Sequence, residues 1–225
     1  MGTMTTDERI GEGIGVRSTA RNVWNWLFAP LLRTITNGVA GAVILAPSGT
    51  AGSVLGAAVG GGLGAAHGWR MAYAHTYDWT TVGGVIEFIA DNTWGLPNAV
   101  VGSLFATLNL WNGVKVEVSR ASGSLYHASG WFGKYDTTFG NVTVGTIVPK
   151  HEAVHALQAR IFGPLFYPLF IASYIICTIA PYWLLYHDTK NKPINSFGRY
   201  FKCGVYPHTW FEEWAYSIDG NPPCT

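Results

Sequence analysis

The sequence predicts an α+β fold in which glycine-rich membrane helices come first, followed by a small antiparallel β meander, a helix that carries a His/Glu motif and an apolar helix. Two uncharged runs suggest the membrane helices, one between Arg33 and Arg70 and one over residues 161–186, since long uncharged segments are typical of lipid-embedded chain. Between them, residues 113–149 alternate apolar and polar side chains and are punctuated by glycines, which predicts three short strands.

The composition also points to a lipid environment. Charged residues make up 12% of the chain, where about 25% is usual for a soluble domain. Aromatic residues reach 14% and there are 28 glycines. The formal net charge of +1 gives no electrostatic reason to expect a nucleic-acid partner. We therefore expect a membrane location, with the lipid bilayer as a partner.

A regular glycine repeat lies within the first uncharged run. Glycines at four-residue spacing fall on one face of a helix and let a second backbone approach closely. In water each glycine would weaken a helix by about 1 kcal/mol relative to alanine. In lipid the helix persists, because the backbone groups must form hydrogen bonds within the chain. The interleaved valines and leucines disfavour a flexible Gly/Ala linker. The repeat predicts a glycine zipper in lipid, with a homo-oligomer as one outcome, formed by Gly52, Gly56, Gly60, Gly64 and Gly68.

The motif helix begins near residue 151, where the chain reads His-Glu-Ala-Val-His, an HExxH pattern. Positions i and i+4 share a helix face, so His151 and His155 can bind one zinc ion. Glu152 is then placed to polarise a water whose pKa zinc lowers towards about 7. The segment HEAVHALQARIF contains no proline or glycine and ends at Gly163-Pro164, as a helix should. A core helix with two histidines is the alternative, because HExxH also occurs by chance.

A third metal ligand is expected downstream, in Trp210-Phe211-Glu212-Glu213-Trp214-Ala215. Catalytic zinc takes three protein ligands and keeps one position open. Either glutamate fits, and the Glu-x-x-Ala spacing favours Glu212 over Glu213. Four further side chains are candidates to stabilise an oxyanion, although packing is the simpler interpretation of each: Tyr126, His127, His208 and Tyr216.

The order HEAVHALQ, GPLF and EEWA resembles the glutamate-zincin class of zinc metallopeptidases, and more closely a set of poorly characterised bacterial HExxH membrane proteins. The resemblance covers roughly residues 90–219. It implies a zincin-like motif helix, Zn²⁺ as cofactor, His151 and His155 as ligands, Glu212 as third ligand and Glu152 as general base. Val154 stands where glycine is frequent, and the glycine repeat is not part of the resemblance.

We therefore expect a membrane-associated zinc peptidase, a hydrolase whose substrate is a protein or peptide. The alternative is a non-enzymatic glycine-zipper membrane protein, an oligomer or pore of toxin-like kind, with a structural or vestigial metal site. The predicted division of the chain is a polar arm with an amphipathic interfacial stretch (1–33), the glycine-zipper segment (34–70) and a zinc metalloprotease-like domain (71–225).

Two questions stay open at the C-terminal end. Run 161–186 predicts either a membrane crossing or a re-entrant, interfacial helix, because its prolines interrupt a straight span. If it crosses, the cations that follow predict a cytoplasmic tail. Cys203 and Cys224 could pair or remain free thiols, and three cysteines do not form a disulfide framework.

Overall fold

The computed structural model describes residues 19–111, 116–119, 123–127, 136–144, 149–220 and 224, so most of the predicted polar arm lies outside the described residues. The described chain is mostly helical, with one small mixed sheet, which matches the α+β expectation in outline. The helices are α1 (Thr19–Leu45), α2 (Gly49–Tyr73), α3 (Val82–Asn92), α4 (Leu96–Trp111), α5 (Pro149–Phe162), α6 (Phe166–Ile179), α7 (Phe197–Arg199) and α8 (Trp210–Asp219). The strands are β1 (Val116–Ser119), β2 (Ser124–His127), β3 (Thr137–Phe139) and β4 (Val142–Val144).

Helices α1 and α2 form an antiparallel hairpin joined by a short 3₁₀ turn at Ala46–Ser48. The repeat glycines of α2 face α1 of the same chain. A methyl group at Gly56 would collide with the Gly41 carbonyl, and one at Gly60 with the Asn37 carbonyl. By contrast, Gly62 on the same helix faces open space. The repeat therefore closes the hairpin itself, and an oligomer formed through it stays a prediction.

Two stretches are apolar and long enough to cross a membrane, Val23–Tyr73, which contains the hairpin, and Lys150–Ile179. Core helices and signal sequences share these properties of length and composition. Only 6% of the apolar window of the first stretch is buried, which argues against a core helix. Leu31, Ile35 and Val39 lie four residues apart on α1 and are each more than half exposed. This face of the hairpin is suited to lipid.

The chain that follows the second apolar stretch folds back against it. Helix α6 has 14 residues and is about 21 Å long, shorter than the roughly 30 Å hydrocarbon core. After it, the Tyr200 hydroxyl donates to the Thr178 carbonyl over 2.6 Å, so the tail folds against the end of α6. Helix α8 then packs against α5, which carries the motif. Whether the run crosses a bilayer or lies at its interface stays a prediction.

The sheet differs from the predicted antiparallel three-stranded meander. Within the described residues it has four strands in the order β1-β2-β4-β3, and β2 pairs with β4 in parallel. The segment TTFGNVTV forms two strands, β3 and β4, and not one. Gly140-Asn141 is instead a two-residue turn between β3 and β4, with Gly140 at φ 58°. Such a Gly-Asn pair between Thr/Val triplets is a hairpin signal.

The C-terminal end of α5 is held by α3 and α4. Arg160 on α5 donates to both carboxylate oxygens of Asp91, at 2.9 and 3.0 Å. The Asn98 amide donates to the carbonyls of Ala159 and Gly163 at 2.8 and 2.7 Å, which satisfies the free carbonyls at the helix end. On the hairpin, Arg33 donates to the Asp91 carbonyl at 3.2 Å. The hairpin and the motif helix are thus tied to the same residue of α3.

A disulfide joins Cys203 to Cys224, with their Cα atoms 5.6 Å apart, and Cys177 is a buried free thiol. This settles the pairing that the sequence left open. The side of a bilayer on which the tail lies stays a prediction.

Candidate metal centre

Two helices supply the predicted metal ligands. His151 and His155 are one turn apart on α5, and Glu212 lies in the first turn of α8. An aromatic cluster packs the two helices together, because Phe211, next to Glu212, contacts Ala159 of α5 and Phe166 of α6. The first turn of a helix also favours a negatively charged side chain. Residues separated by about sixty positions in sequence are brought into one site.

The donor atoms form a compact triangle. His151 Nε2 lies 2.9 Å from Glu212 Oε2 and 3.1 Å from His155 Nε2, and His155 Nε2 lies 3.5 Å from Glu212 Oε2. Ligands bound tetrahedrally to zinc at about 2.0–2.1 Å stand about 3.3 Å apart, so the three separations bracket the expected value. Two imidazoles and a carboxylate are also a ligand set that catalytic zinc uses. The three buried side chains are close enough to hold a metal ion.

Each histidine is oriented by a second partner. His151 Nδ1 lies 2.8 Å from Asp219 Oδ2, and His155 Nδ1 lies 2.8 Å from Gln158 Oε1. These contacts fix the Nδ1–H tautomer and leave Nε2 of each ring for a metal. The Gln158 amide also donates to the Phe211 carbonyl at 2.9 Å, which joins α5 to α8.

Asp219 was not predicted as part of the site. It ends α8 seven residues after Glu212, and a seven-residue spacing places both carboxylates on the same helix face. This spacing is the sequence signal that could have placed Asp219 at the site. Gln158 belonged to the HEAVHALQ pattern, although the sequence assigned it no role.

Glu152 is buried beside the ligands and is held by the sheet. The Thr138 hydroxyl of β3 donates to Glu152 Oε2 at 2.7 Å. Thr138 also lies 3.2 Å from Thr143 of β4, which lies 3.0 Å from Ser124 of β2. A row of hydroxyls across three strands therefore ends at this carboxylate. The sheet positions the expected general base rather than a ligand.

The choice between the two glutamates follows from burial. Glu212 is 4% exposed and contacts both histidines, whereas Glu213 faces solvent and is not among the three clustered ligands. Burial opposes ionisation of Glu212. In the metal-free site, hydrogen bonds that His151 and His155 donate when Nε2 also carries a proton outweigh burial and lower the pKa of Glu212 to about 2. A charged carboxylate is the form that binds a metal cation.

The oxyanion candidates lie in different places. The ring of Tyr216 is 4.4 Å from that of His151, so this tyrosine borders the centre. His127 is fully buried on β2, and Tyr126 is its half-buried neighbour on that strand. His208 Nε2 lies 3.0 Å from His187 Nδ1, and burial, with the nearby His187 and Lys192, lowers its pKa to about 4. Of these four candidates, Tyr216 is the one for which the described residues show a contact with a metal ligand.

The centre is shielded from solvent, since its three ligands are 2–7% exposed. Tyr216 also lines a cavity of about 380 Å³ that Glu213 and His208 border. The cavity and the centre therefore share this tyrosine as a wall. No family model, curated protein or solved structure matches the chain. The similarity to glutamate zincins accordingly stays a prediction based on the motif residues.

Proposed function

We propose that the chain is a membrane-associated, zinc-dependent peptidase that hydrolyses peptide bonds in a protein or peptide. The observation that carries the proposal is the convergence of His151, His155 and Glu212, with Glu152 buried next to them. An HExxH motif alone can occur by chance. The motif does not require a third ligand sixty residues away or an orienting partner for each histidine, so these contacts support the proposal independently.

The side chains have separable roles in this proposal. His151, His155 and Glu212 hold the metal, which when bound would polarise a carbonyl and acidify water. Glu152 accepts a proton from the attacking water and passes it to the departing amine. Thr138 orients the Glu152 carboxylate, and its hydroxyl leaves the other carboxylate oxygen available for that proton.

Membrane association follows from the outward faces of the hairpin. Val43 and Ile44 near its tip are 67% and 66% exposed, and the chain carries no charged side chain between Arg33 and Arg70. In water this surface would be an exposed apolar patch of unusual size, whereas in lipid it needs no further partner. We infer that the hairpin anchors the peptidase to a bilayer.

A second candidate function is a non-enzymatic membrane protein whose metal site is structural. The near-complete burial of the three ligands favours it, because structural zinc sites are closed and catalytic sites keep a position open to water. In this alternative the glycine hairpin carries the function, and metal binding only stabilises the fold.

Hydrolysis assays on three variants distinguish the two candidates. Glu152→Gln should keep the metal and lose hydrolysis by about 10²–10⁴-fold, because an amide cannot accept the proton. His155→Ala should lose both metal and hydrolysis, while Glu213→Gln, at an exposed neighbour of a ligand, serves as control. The assay measures self-cleavage and cleavage of a peptide library. A zinc-loaded wild type that cleaves nothing, with a biological effect equal to that of Glu152→Gln, would favour the structural alternative.

A further inference from the structure

The chain between α6 and α8 folds into a small lobe around Trp183, and we refer to residues 180–205 as the Trp183 lobe. Trp183 is fully buried against Cys177 and Val205, and its indole donates to the Cys177 carbonyl at 2.8 Å. Tyr200 packs on the same indole, with ring centroids 5.5 Å apart. The lobe is therefore a folded unit with a defined outer surface.

The outer surface of this lobe carries the most exposed apolar side chains of its region. Leu185 is 89% exposed and Phe197 is 79% exposed. Next to the lobe, Ile179 at the end of α6 is 77% exposed and continues a row with Ile171 and Ile175 at four-residue spacing. Several large apolar side chains exposed within one short segment of chain favour an interaction surface.

The same lobe is strongly basic. From residue 180 to 205 there are four cations and one acid, a net charge of +3, whereas the whole chain carries +1. The acid, Asp188, is engaged by Asn191, whose amide lies 2.6 Å from Asp188 Oδ2. Asp188 also interacts electrostatically with Lys192. Among the described residues, no carboxylate forms an ion pair with the cations of the lobe. They are Lys190, Lys192, Arg199 and Lys202.

We propose that the Trp183 lobe docks on the surface of a bilayer that contains anionic phospholipids. Leu185, Phe197 and Ile179 would enter the interface between headgroups and acyl chains, and the cations would contact lipid phosphates. Exposed apolar side chains among Lys and Arg are the pattern of interfacial membrane binding. Nucleic acid would match the charge but not the exposed leucine and isoleucine. The surface also continues the apolar face of α6, which lies in one of the two stretches suited to lipid.

A local fluorescent label tests this contact separately from the hairpin, which could bind lipid alone. Phe197→Cys gives one labelling site for a polarity-sensitive fluorophore, because Cys177 is buried and the other cysteines are disulfide-bonded. The full chain is reconstituted in vesicles of phosphatidylcholine, with or without about one quarter phosphatidylglycerol. The emission should shift to the blue on the anionic vesicles, and added salt should reverse the shift, since screening weakens headgroup attraction.

Charge variants identify the contribution of the cations. Changing Lys190, Arg199 and Lys202 together to serine should weaken the contact on the order of 10²-fold, read from emission over a series of anionic lipid fractions. Lys150→Ser is the matched control, because Lys150 is an exposed cation outside the lobe. A label at Leu185→Cys repeats the measurement if the Phe197 variant folds poorly.

Three results would overturn the proposal. The label could keep its aqueous emission on both vesicle types although the chain floats with them. It could shift equally on both, which would leave the cations without a role. It could be buried before any vesicle is added, which would show that a second copy of the chain covers the surface. The readout is independent of hydrolysis, so failure of the peptidase proposal leaves this result unaffected.

Discussion

Asp219→Ala should weaken zinc binding without removing any ligand. In the structure, Asp219 Oδ2 lies 2.8 Å from His151 Nδ1, with the two side chains 6% and 2% exposed. The variant leaves a buried ring N–H without its partner, a loss of about 1–3 kcal/mol. Loss of such an outer partner commonly lowers metal affinity about 10–100-fold, which is the same range of free energy. Asp219→Asn should lose less, because its amide oxygen still accepts the hydrogen bond.

The assay is a competition titration of the solubilised chain against a zinc chelator of known affinity. Ser217→Ala is the control, because Ser217 is exposed on the same helix and its hydroxyl donates to the Trp214 carbonyl. A thermal melt without metal shows whether each variant is folded. If folded Asp219→Ala binds zinc as tightly as the wild type and the Ser217 variant, then Asp219 does not orient His151 towards a metal.

Three further outcomes follow from the structure. Thr138→Val should reduce hydrolysis while zinc content stays at the wild-type level, since Thr138 touches Glu152 and not a ligand; equal loss of zinc would contradict this. Gly60→Leu should disrupt the hairpin by steric overlap worth about 1–3 kcal/mol or more. Gly62→Leu should leave the hairpin intact, because Gly62 faces open space. Protease resistance of the two variants in vesicles gives the comparison. In the metal-free protein, the Glu212 pKa of about 2 lies below the ordinary carboxyl value. The ionised Glu212 carboxylate therefore contributes fully to stability above about pH 4.3, and this contribution disappears towards pH 2. The melting temperatures of the wild type and of Glu212→Gln should converge at acid pH.

The local parts of the site could be predicted from sequence because they depend on helix periodicity. His151 and His155 share a helix face by their spacing alone. The choice of Glu212 over Glu213 also rested on a local spacing, and the burial of Glu212 agrees with it. The glycine repeat likewise predicted close backbone packing, because four-residue spacing leaves one smooth face.

The parts that could not be predicted depend on how distant segments meet. A glycine face accepts any helix, so the sequence could not distinguish α1 of the same chain from a second copy. The parallel pairing of β2 with β4 depends on the connection between β2 and β3, which has no local signature. The contact of Arg160 with Asp91 joins two helices 69 residues apart, and neither residue belongs to a motif.

The most direct test of the account is the zinc content of the purified chain and of the two neighbouring glutamate variants. The metal centre predicts one zinc per chain in the wild type and in Glu213→Gln, since Glu212 and not Glu213 clusters with the two histidines. Glu212→Gln should lose most of its zinc under the same dialysis. Equal zinc in the two variants, or a folded wild type that binds none, would contradict the assignment of His151, His155 and Glu212 as a metal centre.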